Sequence, residues 1–464
     1  MSLGLSRRDL LKLLTVAAAA GLDPRRLEAA DGPERLLEFE ALGNVTLLHL
    51  TDPHATLRPL YYREPDTLIG IGREHGKPPF LTGAEFLRAY HIAPGTVEAY
   101  AATHLDFAAL AARYGRMGGY AHLATLVKRA RAERPGKTLL LDGGDTCQGS
   151  ATALWSRGED MVRASNALGV EVMTPHWEFI YGMDRLRELF GDREHRGLFA
   201  GDFVAHNVAQ MGWGDRVFRP YTVREVGGVG VGIIGQAFPY VPVSHPRRFV
   251  PDLTFGIQED QVQALVHELR DDRRVDLVVL LSHNGVAVDL KLAARVAGLD
   301  VVLGGHTHDA LLKRFDAQVA FSPGFRWGPT IVPGQTLTLE DIYAHTALTY
   351  PNTWVRELTG RELHELMEDV ADNLFHPDPY YRQGGDMLRV GGLTYTIEPA
   401  RTLGRRIRDI RVGGRPLEPA RRYKAAGWAS LREAEGPPAW DVVADHARAL
   451  KRVRLEPRAR VRVV

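Results

Sequence analysis

The chain has 464 residues, of which 45% are hydrophobic and 25% charged, and its formal net charge is +1. That length exceeds one ordinary hydrophobic core and fits a globular protein of two domains or three. The near-neutral balance excludes a strong non-specific grip on nucleic acid, and the single cysteine, Cys147, excludes an intramolecular disulfide.

In chain order, Ser6-Arg7-Arg8-Asp9-Leu10-Leu11-Lys12 stands before a short apolar run from Leu13 to Leu22. The pattern resembles a twin-arginine signal, a receptor-read address for export of folded proteins, with Ala29-Ala30 as a candidate cleavage site. The run is too short for a bilayer-spanning stop-transfer helix. A lone thiol suits a protein that folds and loads its cofactors in the cytosol before leaving it.

From Val45 to about His308, strands alternate with helices, the rhythm of a mostly parallel sheet with both faces covered. The predicted strands are Val45–Leu50, Thr138–Leu141, Val170–Met173, Leu277–Leu281 and Val301–Leu303. Leu123, Leu126, Val127 and Ala130 mark one helical stripe, and Val262, Leu265, Val266 and Leu269 another. Thr222–Val226 and Val229–Ile234 flank Gly227-Gly228 and predict a hairpin.

Residues 58–115 interrupt the rhythm with Pro, Gly and aromatics and are expected to be an insertion beside the first strand. Beyond about Asp309 the pattern changes to strands with one clear helix, from Gly360 to about Val370, with Leu363, Leu366, Met367 and Val370 inward. Ala459 to Val463 alternates with arginine as a half-exposed strand does. The expected division is a signal region at 1–30, a catalytic domain at 44–312 and a smaller α+β domain at 313–464.

The residues just past the apolar runs carry the chemistry. The first run leads into Asp52-Pro53-His54 and the second into Asp142-Gly143-Gly144-Asp145. The third leads into Pro175-His176-Trp177-Glu178, the fourth into Ser282-His283-Asn284, and the fifth into Gly304-Gly305-His306-Thr307-His308. In open α/β sheets, ligands bind at the carboxyl ends of the strands. Asp52, His54, Asp145, His176, His283, His306 and His308 exceed the three or four protein ligands of a single zinc-type centre. Two ions sharing one carboxylate would use them all, and such a pair stabilises both the attacking and the leaving group of an in-line displacement. The glycine pairs allow close backbone turns beside the ions. Cys147, two residues beyond Asp145, is expected to be a small buried residue.

These motifs, in this order, resemble the calcineurin-like metallophosphoesterase superfamily, and within it the 5′-nucleotidase branch. The resemblance covers nearly all of the chain after the signal region. It implies an α/β fold with a β-sandwich core, flanking helices and a smaller C-terminal α+β 5′-nucleotidase-like domain. It places Asp52, His54, Asp145 and His308 on a first ion, with Asp145 bridging and His176, His283 and His306 completing the second.

The departures from that branch narrow the expectation. Where it carries Gly-Asn-His-Glu-Phe-Asp-Tyr-Gly, this chain has Pro175-His176-Trp177-Glu178-Phe179-Ile180-Tyr181-Gly182. His176 replaces an asparagine ligand, Trp177 a histidine that assists the leaving group, and Ile180 the aspartate that orients that histidine. Ser322-Pro323-Gly324-Phe325-Arg326 stands where the branch has Asn-Gly-Gly-x-Arg, and Arg326 could grip an oxyanion with its planar donors. Asp378 to Met387, including Tyr381 and Asp386, replaces the nucleoside-stacking elements.

Together these segments are similar to the thiosulfohydrolases of the bacterial sulfur-oxidation system. That similarity implies a periplasmic enzyme with two manganese ions, zinc or iron being compatible with the same donors. The implied reaction hydrolyses a cysteine S-thiosulfonate on the carrier SoxYZ, with Asp145, His176, Trp177 and Arg326 at the reacting centre and Tyr381 and Asp386 touching the substrate. Two other readings stay open: a periplasmic 5′-nucleotidase or cyclic-nucleotide phosphodiesterase, and a non-catalytic, metal-dependent carrier-binding protein.

Overall fold

The computed structural model describes residues 43–64, 76, 80–306, 319–322, 330–332, 334–385, 387–450 and 461–463. The signal region, His308, Arg326 and Asp386 therefore lie outside the described residues.

The N-terminal part is built on two four-stranded sheets. In the first, β1 (Thr46–Leu50), β2 (Thr138–Asp142), β3 (Val172–Met173) and β4 (Asp202–Phe203) are adjacent in that order and all parallel. In the second, β5 (Tyr221–Val226) and β6 (Val229–Gln236) form an antiparallel hairpin, and β6, β7 (Leu277–Ser282) and β8 (Val301–Leu303) run parallel. Gly227 and Gly228 close the hairpin at φ of 60° and 78°, the paired left-handed geometry that a two-residue turn between twisted strands requires.

The alternation of side chains along each strand assigns its two faces. Leu139 and Leu141 of β2, Ile233 of β6 and Val279 and Leu281 of β7 pack together between the sheets, all at 0% exposure. Leu140 points the other way, into a core with Val127 and Met161, and Val278 and Leu280 meet Val262, Leu265, Val266 and Leu269 from the helical segment 259–272. The expected β-sandwich core with flanking helices is present: each sheet has helices on one face and the other sheet on its second, so both faces are covered. A run that is apolar on both faces has the same sequence whether helix or sheet covers it.

Smaller differences have local causes. Leu126 is exposed on the helix Tyr120–Glu133, where Leu123, Ala124 and Val127 face the core instead. The third strand begins at Val172 rather than Val170. In the insertion, the short helices Val97–Ala102 and Phe107–Tyr114 share a satellite core around Tyr100, Leu110 and Ala111, and a further short helix spans Gly83–Ala89.

The C-terminal part has two further four-stranded sheets. The strands are β9 (Val319–Ser322), β10 (Thr353–Thr359), β11 (Arg389–Gly391), β12 (Leu393–Ile397), β13 (Ile407–Val412), β14 (Arg415–Pro416), β15 (Arg422–Trp428) and β16 (Arg462–Val463). One sheet runs β10-β15-β9-β11 and the other β14-β13-β12-β16. The predicted helix extends over Gly360–Phe375, started by a reciprocal cap between Thr359 and Glu362, and it buries Leu363, Met367, Ala371 and Phe375. It is accompanied by helices Leu339–Thr346 and Ala439–Leu450, which the sequence pattern does not announce. Among the described residues, no helix is long and apolar enough to cross a membrane.

Leu281, fully buried between the sheets, tests this layering. Leu281→Ala is expected to lower unfolding stability by about 2–5 kcal/mol in urea titrations; a loss under 0.5 kcal/mol, an approximate threshold for surface sites, would argue against the sandwich.

Candidate metal centre

The loops after β1 and β2 continue the pairing of their strands. Asp52 N donates to Gly144 O (2.9 Å), His54 N to Asp145 O (3.0 Å) and Ala55 N to Thr146 O (3.0 Å). These bonds hold backbone that would otherwise be unfavourable: φ is 52° at Asp52, 42° at His54, 58° at Asp145 and 93° at His306. Left-handed conformations cost side-chain-bearing residues energy, and they persist where surrounding bonds over-determine them.

Asp145, at 0% exposure, lies at the middle. His176 Nδ1 is 3.0 Å from its carboxylate, His283 Nε2 3.1 Å and His54 Nε2 3.7 Å. Asp52 approaches from β1, with His54 Nε2 at 3.9 Å and His283 Nε2 at 3.6 Å from its Oδ1. The donors form two groups, Asp145 with His176, His283 and His306, and Asp52 with His54 and Asp145. Within each group the candidate ligand atoms lie within 4.8 Å of one another, and Asp145 belongs to both.

Two of the imidazoles have their orientation set by carbonyls. His283 Nδ1 is 2.6 Å from Gly143 O and His54 Nδ1 is 3.2 Å from Gln148 O. A carbonyl only accepts, so Nδ1–H donates in both rings and each Nε2 is turned toward the carboxylates, where it could offer a lone pair to an ion that displaces any proton there. Gly144 and Gly305 keep the backbone close: a Cβ on Gly144 would sit 2.5 Å from Thr174 O, and one on Gly305 would sit 2.3 Å from Thr51 Oγ1 and 2.7 Å from Asp52 Oδ2.

The electrostatics call for a cation. Burial alone would raise the Asp145 carboxyl, but His176 and His283 hold it well below the usual range. Burial would likewise lower His283, yet Asp145 and Asp52 outweigh it and push it up to about 10. Burial keeps His176 neutral, well below its ordinary value. The carboxylates therefore stabilise positive charge among the rings, which divalent ions would supply in place of the proton on His283. His176 Nε2 is buried without a partner among the described residues. Mixed imidazole and carboxylate donors of this kind fit manganese, iron or zinc.

Of the positions expected from the sequence, Asp52, His54, Asp145, His176, His283 and His306 converge. Trp177, 8% exposed, is beside them, its ring 5.5 Å from that of His176. Tyr381 is 65% exposed and packs against His376 with the two rings tilted by 48°. Cys147 is fully buried, and burial pushes its thiol well above the ordinary value.

Four contributors escape the sequence reading. Glu178, 1% exposed, accepts from His176 N (2.8 Å), Thr146 N (2.8 Å) and Cys147 N (3.1 Å), stapling the loop after β2 to the loop after β3. Phe238 packs 4.1 Å from His176 and 4.4 Å from His306. Gln383 O, from the C-terminal part, is 3.0 Å from His306 Nε2. His245 lies against His176 and Trp177. Phe238 stands just past the strand end at Gln236, the one available signal; the others sit on irregular segments.

Gly305→Ala is expected to reduce bound metal at least about tenfold by elemental analysis while leaving the circular dichroism spectrum unchanged, as losses of that order accompany disturbance of ligand supports. Stripping metal with a chelator should lower Tm, and manganese should restore it, because ions that bind only the folded form stabilise it.

A family profile for the 5′-nucleotidase C-terminal domain matches residues 289–437. The 5′-nucleotidase of Rattus norvegicus is 33% identical over 200 residues, which are 42% of this chain and 33% of that protein. A snake venom 5′-nucleotidase from Gloydius brevicauda is 30% identical over 201 residues, again 42% of this chain and 32% of the other. The alignments thus span about a third of these curated relatives. Among solved structures, the sulfate thiohydrolase SoxB of Thermus thermophilus, in complex with glycerol, aligns at TM-score 0.85 and 33% identity, covering 92% of this chain and 98% of that one. A 5′-nucleotidase precursor from Thermus thermophilus aligns at TM-score 0.63 and 19% identity, covering 90% and 99%, a likeness of fold alone.

Proposed function

Since the chain belongs to the SoxB family of the 5′-nucleotidase superfamily, we propose that it is a two-metal thiosulfohydrolase acting on a cysteine S-thiosulfonate of the SoxYZ carrier. The observation that carries this reading is the pair of donor groups sharing Asp145 beside a tryptophan and an isoleucine at positions 177 and 180. Donors for two ions are present, while the histidine–aspartate pair that assists an alkoxide leaving group is absent from those positions.

The reaction transfers the oxygen of water to the sulfonyl sulfur of R–S–S–SO3⁻. The S–S bond breaks, its electron pair stays with the persulfide R–S–S⁻, sulfate leaves, and two protons go to solvent. Such a leaving group needs little acid assistance; even a simple thiol has a pKa of about 8.5. When bound, the ions would activate water and neutralise charge on the sulfonyl oxygens.

The protein's part is to hold and to shield. Asp52, His54 and Asp145 would bind one ion, and Asp145, His176, His283 and His306 the other, with His308 proposed as a further ligand of the first. The carbonyls of Gly143 and Gln148 keep the rings of His283 and His54 turned toward the carboxylates. Trp177 and Phe238 wall the centre against water. Arg326 is proposed to bind the sulfonate, and Tyr381 and Asp386 to contact the carrier's tail. Manganese is the proposed metal, and the periplasm, reached in the folded state through residues 1–30, the proposed location.

The test is a direct competition. Manganese-loaded protein receives a carrier peptide bearing Cys-S-thiosulfonate and, separately, AMP. Sulfate release from the peptide with little phosphate from AMP is expected; phosphate without sulfate would make the protein a nucleotidase. Binding of the peptide with neither product would make it a carrier-binding protein. Asp145→Asn should abolish metal loading and turnover together, since the shared carboxylate serves both groups; survival of either would refute the shared-carboxylate arrangement.

A further inference from the structure

Shortly after β6, the segment Val241–Ser244 forms a single helical turn that ends at His245. This histidine is 1% exposed. Its ring centroid is 5.2 Å from that of His176 and 4.6 Å from that of Trp177, so it borders the metal centre on the side that Trp177 walls. Its surroundings include Asp145 and His306, whose charges it senses. It belongs to neither donor group, so its nitrogens are not among the clustered ligand atoms.

The two ring nitrogens are treated differently. Ser244 Oγ lies 2.7 Å from Nδ1. Nε2 is buried and has no hydrogen-bond partner among the described residues. A buried polar atom left unsatisfied costs about 1–3 kcal/mol, and native proteins rarely retain one without a partner supplied by ligand or water. A neutral imidazole has one nitrogen a donor and the other an acceptor, so a hydroxyl donating to Nδ1 leaves Nε2–H to donate.

We propose that His245 is a substrate-binding catalytic residue, donating Nε2–H to a terminal oxygen of the tetrahedral oxyanion held at the metal centre while the Ser244 hydroxyl donates to Nδ1. The role needs no change of protonation, only a fixed tautomer. It fits a substrate whose reacting group is a small, multiply oxygenated anion, because the segment that carries the donor brings no acidic side chain to repel one: Val241-Pro242-Val243-Ser244-His245-Pro246 has none. It also accounts for the close packing of Trp177, whose indole fixes the ring plane. The proposal rests on the metal-dependent hydrolase reading, but it does not depend on whether sulfur or phosphorus is attacked.

The experiment compares wild type with His245→Ala, His245→Gln and Ser244→Ala, each loaded with manganese and checked for metal content and Tm. Binding of sulfate, the tetrahedral product anion, is measured by calorimetry alongside turnover of whichever substrate the wild type accepts. His245→Ala should keep its metal, bind sulfate about tenfold more weakly and lose about 10²-fold in kcat, the loss typical of removing one oxyanion donor. His245→Gln, which retains an N–H at similar reach, should recover at least about tenfold of that loss. Ser244→Ala should lower kcat several-fold, and it decides the matter if the alanine variant of His245 does not fold.

Unchanged sulfate affinity and kcat in the folded variants would assign Nε2 to a structural water and overturn the proposal. Loss of metal from His245→Ala would do so as well, by making the residue part of the ion site. If the wild type turns over AMP and not the thiosulfonate, the sulfur reading fails while the sulfate-binding comparison still judges His245.

Discussion

A carboxylate at zero exposure cannot stay ionised without positive charge beside it, and Asp145 is such a group. Four histidines from four strand ends gather around it, and the rest of the N-terminal part can be understood as what brings them there. Two sheets packed face to face aim their carboxyl ends at one place, so that β1, β2 and β3 supply ligands from one side and β7 and β8 from the other. The final positioning is done by backbone: zipped loops after β1 and β2, the Glu178 staple, and glycines where a Cβ would strike a neighbour. Four candidate ligands at positive φ show that local preference has been overridden by this framework.

Much of this is legible in the sequence, because strand ends announce themselves. Apolar runs stop, and the next polar residues are Asp or His; Asp52 and His306 are separated by more than half the chain, yet each comes just after such a run. The arrangement of layers is less legible. Leu140 and Leu141 are both leucines in one strand, but one meets helices and the other meets a sheet, and nothing in a hydrophobic run distinguishes the two. On Tyr120–Glu133 the buried stripe differs from the expected one at Leu126, since Ala124 takes the inward place. Irregular segments are opaque for a different reason: His245 and Gln383 are placed by turns and by domain contacts rather than by any periodic pattern.

The C-terminal part is joined to the strand ends by polar contacts as well as by packing. Gln148 Nε2 donates to Ala347 O, and Thr349 Oγ1 donates to Ile180 O, both bordering the loops that carry Asp145 and Trp177. On the other side, Lys291 Nζ is 2.5 Å from Asp378 and sits 3.8 Å from the centroid of the Tyr380 ring, whose hydroxyl donates to Glu259. Leu348, Tyr350 and Trp428 meanwhile share one apolar core with Phe179 and Ile180. The two parts of the chain therefore stand on a common support, and the carbonyl of Gln383 at His306 is its most direct expression.

The lone cysteine acquires a meaning from this setting. A thiolate is both a strong nucleophile and a soft metal ligand, so an exposed one beside a metal centre would react with electrophiles or compete for ions. Cys147 stands two residues from Asp145, close enough to be a hazard, yet it is sealed from solvent with its thiol kept protonated and its amide tied to Glu178. Burial alone therefore separates the chain's one thiol from anything that reacts at the neighbouring donor cluster.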